Sequence, residues 1–247
     1  MLDLLMGSFR LTFSLFVMLG AISHVCLGQT LKVGGYDYSP FMDSKTQGGL
    51  YVELTNAIEQ HSQLTFNWVF YPYARVDHLF NLGDVQVEIG SSPLWNQHKE
   101  TPGLFSMYFY ELEDVAVFHE KSPKRARNHD DIQGQKIGIV RGYSFPQFAD
   151  AFQNSIAYKI EGNNEKQLLH LLLNRRIDQV FMSKHVLLNL KKQHPEYNNL
   201  VFKDVVGKYE VAIRVHPNHQ YVIPQLNQAI QTLKQKNIIQ KIFEKAQ

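Results

Sequence analysis

Polar side chains follow at once after the apolar segment 137–140 of the chain. Arg141 comes first and could hold an anionic group by charge-assisted hydrogen bonds. Ser144 and Gln147 then have the spacing of a capping box, with Pro146 in the first turn, so a helix is predicted to begin here. Because the unpaired N–H groups at a helix start attract anions, this segment predicts a contact for a negatively charged ligand group.

Aromatic side chains recur in the loops expected at the ends of strands. Rings in such loops can stack on a flat ligand, although each ring taken alone is more often a packing residue. The candidate ligand contacts of this kind are Tyr36, Tyr38, Phe41, Tyr73, Trp95 and Tyr143. Two serines, Ser91 and Ser92, would add hydroxyls or backbone N–H groups for a polar ligand. Together these residues predict a cleft with aromatic walls.

The sequence has no motif of a metal, nucleotide or nucleophile site. The eleven histidines are scattered, and the close pair His216 and His219 has no third ligand nearby. No nucleophile elbow, P-loop or dinucleotide-binding fingerprint occurs. We therefore expect a protein that is not an enzyme and that has no metal site and no cofactor.

The N-terminal segment, residues 1–28, has the pattern of a secretory signal peptide. An apolar run over residues 10–22 follows Arg10, and small residues precede a cleavage point before Gln29. A retained membrane anchor is the alternative, but the run is shorter than the roughly 20 residues that a spanning helix needs. We expect cleavage and a periplasmic mature chain. Since the sole cysteine, Cys26, lies in this segment, the mature chain would have no disulfide.

Composition sets the class of the remaining chain. The 247 residues are 44% hydrophobic and 19% charged, which allows sizeable cores and excludes a disordered chain or a coiled coil. The net charge is only +2, and the one basic cluster, 121–127, is short. We interpret that cluster as a solvated loop and expect no nucleic-acid partner.

Strand and helix patterns alternate from Gln29 onward, which predicts α/β architecture with largely parallel sheets. Predicted strands cover 31–36, 64–71, 85–89, 110–120, 136–140, 156–160, 178–182 and 209–215, and predicted helices cover 50–61, 74–83, 145–154, 164–175, 184–193 and 223–246. Two segments, 31–41 and 135–148, each place tyrosine, serine and proline after a first strand. Because ligands bind at the carboxyl edges of open α/β sheets, two such edges facing each other would form the cleft.

Several segments, taken in order, resemble solute-binding protein family 3, the amino-acid-type periplasmic receptors of ABC transporters. They are "LKVGGYDYSPF" with "GGLYVELTNAI" (31–58), "LFSMYFYELEDVAVF" (104–118), "DDIQGQKIGIVRGYS" (130–144), "LLLNRRIDQVFM" (171–182) and "LNQAIQTLKQKNIIQKIFEK" (226–245). The resemblance implies two α/β lobes joined by two hinge strands, with residues 29–117 plus 209–247 in lobe 1 and residues 118–208 in lobe 2. It also implies a monomer that closes on a small molecule and docks to a membrane ABC permease or a membrane sensor.

The chain departs from this family at both ligand anchors. The family arginine that holds the ligand carboxylate has no counterpart here. Lys99 lies nearest to its position, as a point charge in place of the guanidinium fork or as a solvated loop residue. The family aspartate that holds the ligand ammonium corresponds to Ser183. Arg141 is then the leading charged candidate, unless it is ion-paired to an acidic group across the hinge.

These observations predict an exported solute-binding protein that captures a small polar ligand, amino-acid-like or an organic anion, by cleft closure. Delivery to an ABC importer is the expected role. The alternatives are a sensor or interaction domain without transport, and a dehydratase-like enzyme built on the same fold.

Overall fold

A computed structural model describes residues 29–245, which contain nine strands and eight α-helices. The predicted signal peptide lies outside these residues, as do positions 246 and 247. Across the described range, no helix combines the length and the apolar character that crossing a membrane would require.

The first lobe is built on parallel strands at one end of the sheet. Strand β1 pairs with both β2 and β3, and the helices α1 and α2 follow β1 and β2 in the chain. The elements are β1 (Gln29–Gly35), α1 (Leu50–Glu59), β2 (Leu64–Phe70), α2 (Tyr73–Asn81), β3 (Val87–Ser91), the short α3 (Pro93–Asn96) and β4 (Leu104–Phe105). Their alternation places the loops after β1, β2 and β3 at one edge.

The second lobe repeats the parallel pattern at the other end of the sheet. Strand β6 pairs in parallel with β7 and β8. The elements are β6 (Lys136–Val140), α4 (Ala149–Gln153), β7 (Tyr158–Gly162), α5 (Glu165–Leu173), β8 (Gln179–Ser183) and α6 (Lys184–Gln193). The loop after β6 and the end of β8 therefore share an edge, which carries four of the predicted site residues, Arg141, Tyr143, Ser144 and Ser183.

Two long antiparallel strands connect the lobes. Strand β5 (Tyr110–His119) pairs with β9 (Leu200–Val215) along its whole length, and the far end of β9 pairs with β3 and β4. The ladder runs β2-β1-β3-β9-β5-β8-β6-β7. The two-lobed α/β fold with two connecting strands is confirmed. The second connecting strand starts at Leu200 rather than at residue 209, and the lobe boundaries stay a prediction.

The C-terminal segment forms two helices, not the single predicted one. Helix α7 (Ile223–Gln235) ends before Asn237, whose φ of 56° is left-handed, and α8 (Ile238–Glu244) starts a new axis. A left-handed residue cannot continue a right-handed helix, and Asn tolerates that conformation better than most side chains. Both helices pack on α1, so the chain end belongs to the first lobe.

The predicted capping box at Ser144 and Gln147 is wrong. The chain forms a 3₁₀ turn at Pro146–Phe148 and a helix of five residues after it, and neither start has a side-chain cap. Phe145, the residue before Pro146, has φ −124° and ψ 84°, outside the helical region that a following proline disfavours, so the helix does not start earlier. Phe145 and Phe148 instead bury their rings against Phe181. The anion contact predicted at this helix start stays a prediction.

Candidate functional site

A cavity of about 40 Å³ lies where the two lobes meet. We call it the tyrosine pocket. It is lined by Tyr36, Tyr38, Tyr73, Gly90, Trp95, Asp114, Tyr143, Ser144 and Ser183. These residues come from the loops after β1 and β6, from the starts of α2 and α3, from β3, from the end of β8 and from the connecting strand β5. The pocket thus combines both lobes, and its volume suits a compact head group or about three water molecules.

Four tyrosine rings form one contiguous cluster across the interface. The Tyr143 ring of the second lobe meets the Tyr73 ring edge-to-face at 5.1 Å between centroids, and meets Tyr36 and Tyr38 at 6.3 Å each. Such edge-to-face contacts are favourable because a positive ring edge meets a negative ring face. Burial raises the pKa of each of these four hydroxyls well above its ordinary value. They therefore remain neutral. Since the Tyr143 hydroxyl already donates to Glu165, the other three hydroxyls are the ones that can donate hydrogen bonds to a ligand.

Gly142 allows the close approach between the lobes. Its φ is 90°, a left-handed conformation that side chains with a Cβ rarely adopt. A Cβ there would lie 3.1 Å from a ring carbon of Tyr73. The glycine after Arg141 is thus required by both the turn and the contact.

A hydrogen bond also joins the lobes beside the tyrosines. Asn189 Nδ2 on α6 donates to Ser39 Oγ in the loop after β1 at 3.0 Å. This bond and the ring contacts would all break if the lobes separated. The structure is therefore a closed arrangement of the two lobes.

Two buried carboxyl groups lie at the pocket: Asp114 in its wall, and Glu165 beside it in the lining of the larger neighbouring cleft. Asp114, 7% exposed, lies in the pocket wall, and within residues 29–245 its carboxylate has no hydrogen bond or ion pair. Burial raises its pKa to about 7, and the nearby Glu165 carboxyl adds to the shift. Glu165, 5% exposed, accepts a hydrogen bond from the Tyr143 hydroxyl at 3.2 Å. Burial raises the pKa of Glu165 to about 7 as well, against the opposing effect of that bond.

The positive side chains nearest to the pocket are already paired. Arg214 is fully buried and bonds Glu88 at 2.7 Å and Asp77 at 3.1 Å. Lys99 donates to Asp77 at 2.8 Å and to the Tyr73 hydroxyl at 2.6 Å. With 14% of its side chain exposed, Lys99 is not a solvated loop residue. This network supports Tyr73 from behind, and neither cation lines the pocket.

Arg141 lies outside the tyrosine pocket, in a larger outer cleft of about 580 Å³. The outer cleft shares Tyr36, Tyr73 and Tyr143 with the pocket and opens beside it. The Arg141 side chain is 59% exposed and lies 3.5 Å from Glu161. Arg141 directly follows β6, and Glu161 lies in the neighbouring strand β7 of the same lobe, so this ion pair does not cross the hinge.

Three other predicted contacts lie behind the pocket wall. Phe41 is fully buried and stacks under Tyr38 at 5.3 Å. Ser91 accepts a hydrogen bond from Asn96 at 2.8 Å, and the carbonyl of Ser92 accepts another from the same amide. These residues hold the loops in place. Seven predicted residues do line the pocket: Tyr36, Tyr38, Tyr73, Trp95, Tyr143, Ser144 and Ser183.

Sequence reasoning missed Asp114 and Glu165. Asp114 follows Glu111 and Glu113 in β5, and these less buried acidic neighbours conceal it in the sequence. The usable signal is that Asp114 directly precedes the buried apolar run 115–118. Glu165 occupies the first turn of α5, where acidic residues are ordinary, so its burial left no trace in the sequence. Within residues 29–245, no group of three or more metal-ligating side chains could hold a metal ion.

Comparison with solved structures shows the fold. An ancestral arginine-binding protein bound to arginine is 20% identical and has a TM-score of 0.72, covering 89% of this chain and 98% of its own. A histidine kinase sensor domain with similarity to periplasmic binding proteins is 19% identical, with a TM-score of 0.77 and coverage of 89% and 96%.

An amino acid ABC transporter substrate-binding protein, AbpA from Streptococcus pneumoniae, bound to L-arginine, is 16% identical. Its TM-score is 0.71, and the match covers 89% of this chain and 94% of that one. No protein-family model matches the chain, and no curated protein matches it. The protein therefore has the two-lobed fold of periplasmic binding proteins, and these three neighbours are binding proteins or a sensor domain.

Proposed function

We propose that the protein is an exported solute-binding protein that holds one small polar ligand of amino-acid size between its lobes. The observation that supports this most is the tyrosine pocket, because both lobes and the connecting strand β5 contribute its walls. The site residues we propose are the seven predicted lining residues together with Asp114. Of the two ligand classes expected from the sequence, an organic anion is disfavoured, and a ligand with an ammonium group, as the amino-acid-like class has, is favoured. An organic anion would meet the buried Asp114 carboxyl group and no lining Lys or Arg.

Binding would proceed by closure of the lobes. Tyr36 and Tyr38 approach Tyr143 only when the lobes are closed, and the Asn189–Ser39 bond forms in the same state. A ligand that fills the pocket contacts both lobes and so stabilises the closed state over the open one. The outer cleft, with Arg141 at its surface, would be the route of entry. No turnover is expected.

Delivery to a membrane ABC permease is the role we propose, following the ABC transporter proteins among the structural neighbours. A sensor role is the second candidate, because a histidine kinase sensor domain shares the fold at a TM-score of 0.77. Both roles need the same ligand-dependent closure. We further propose that residues 1–28 direct export to the periplasm and are then removed, and that the mature protein acts as a monomer.

The test is a ligand screen on protein produced from the full sequence. Amino acids, amines, organic acids and short peptides are added, and the melting temperature is measured. At least one class should raise it, and Tyr143→Ala should abolish that shift. Tyr158→Ala is the matched control, because Tyr158 is 55% exposed and lies on β7, outside the pocket.

Arg141→Ala should change the affinity by less than about threefold, because an exposed ion pair contributes little. A loss of tenfold or more would instead place Arg141 in the site. The proposed function is refuted if no compound of any class raises the melting temperature, or if both tyrosine variants respond alike.

A further inference from the structure

We propose that the group held in the tyrosine pocket is a compact organic cation, an amine or quaternary ammonium group, on a ligand that carries no carboxylate there. This rests on the proposed function above and narrows its ligand class. It is carried by the carboxyl groups, the rings and the absence of any positive side chain among the lining residues.

The pocket wall contains an acidic group that has no partner. Asp114 is more than nine-tenths buried, and no described residue bonds or ion-pairs with its carboxylate. Glu165 stands behind Tyr143 and receives only the hydroxyl of that ring and its own backbone N–H. A buried carboxylate without a partner is costly, and a bound cation would compensate that cost directly.

The aromatic rings of the pocket also favour a cationic ligand. Four tyrosines and Trp95 line the cavity, and the faces of aromatic rings attract cations, most strongly where water is excluded. Alkaline-earth ions are usually bound by several carboxylate and carbonyl oxygens, whereas Asp114 is the one carboxylate among the residues that line this pocket. A small ammonium with apolar substituents matches both the rings and the volume of about 40 Å³.

The titratable groups around Asp114 reinforce this preference. Besides Glu165, the groups that raise its pKa or respond to its charge are Tyr38, Tyr51 and Tyr209, which are all neutral and buried. Glu165 in turn faces Asp37. The carboxyl groups would repel an anion placed here, whereas a bound cation would stabilise their ionised form. Cation binding should therefore release a proton near neutral pH.

The experiment compares three probes of nearly one shape by isothermal titration calorimetry. Choline is a cation, 3,3-dimethylbutan-1-ol is its uncharged carbon isostere, and glycine betaine adds a carboxylate. Choline should bind at least tenfold more tightly than either of the others. Its affinity should rise about tenfold from pH 6 to pH 8, because a group with a pKa of about 7 is then ionised.

Asp114→Asn should weaken the affinity for choline at least tenfold and remove most of the pH dependence of that affinity. Asp150→Asn, the same change at an exposed position on α4, should leave both unchanged. Equal binding of choline and the isostere, tighter binding of betaine, or unchanged choline affinity in Asp114→Asn would overturn the inference.

The experiments distinguish failure of this inference from failure of the proposed function. If the screen finds a ligand that is neutral or anionic, the protein is still a solute-binding protein and the inference alone fails. If neither choline nor any compound of the screen binds, both fail together.

Discussion

Asp114→Asn should make the ligand-free protein less sensitive to rising pH. Burial raises the pKa of Asp114 to about 7 in the folded protein, against an ordinary value of 3.8. The folded state thus keeps a proton on Asp114 at pH values where the unfolded chain has lost it. The group stabilises the fold fully below about pH 4, and this stabilisation is lost as the pH rises through about 7.

The size of the effect follows from the shift. About 3 pKa units correspond to about 4 kcal/mol of unfolding free energy in total. About 3 kcal/mol of this should be lost between pH 5 and pH 8, or roughly 6–12 °C in melting temperature for a protein of this size. The raised pKa of Glu165 acts in the same direction and adds a similar amount in the wild type. An asparagine at position 114 keeps the shape but cannot ionise.

The assay is thermal unfolding without ligand in buffers from pH 5 to pH 8.5 at constant ionic strength. The melting temperature of the wild type should fall across this range, and that of Asp114→Asn should fall by about half as much. At pH 8 the variant should therefore be the more stable protein. Asp150→Asn should follow the wild type. Parallel curves for wild type and Asp114→Asn, or a variant less stable than wild type at pH 8, would refute the buried, unpaired state of this carboxyl group.

Three further substitutions test the support of the pocket. Arg214→Met should lower the unfolding free energy by about 3–5 kcal/mol, measured by urea denaturation, because it leaves the buried Glu88 carboxylate unpaired; a loss below 1 kcal/mol would contradict this. Gly142→Ala should weaken ligand binding roughly tenfold in calorimetry, since the left-handed backbone and the Tyr73 ring both oppose a Cβ; unchanged affinity would contradict the close approach. Asn189→Ala removes the bond to Ser39 and should weaken binding about fivefold, with a larger radius of gyration by small-angle scattering. An unchanged radius together with unchanged affinity would show that this bond does not hold the lobes closed.

The sequence predicted what local periodicity determines. Helix α6 has the predicted bounds, 184–193, and the strands of both lobes lie within about two residues of their predicted positions. The errors lie where a single residue interrupts a pattern. Asn237 breaks a helix whose apolar spacing continues through it, and Pro146 delays a helix whose capping residues are in place. The tyrosines were predicted because loops at sheet edges are recognisable, whereas the burial of Glu165 depends on contacts distant in sequence.

The pairing of strands β5 and β8 explains one of the two departures from the family pattern. Asp114 on β5 pairs directly with Ser183 on β8, the position of the family's ammonium-binding aspartate. Residues opposite each other in an antiparallel ladder have Cα atoms about 5 Å apart, so a carboxylate stands one strand away from its expected place. The other anchor has no such replacement, because Lys99 is engaged with Asp77 and Arg141 lies in the outer cleft. A site that keeps a negative charge for an ammonium group but offers no cation for a carboxylate should select amines over amino acids.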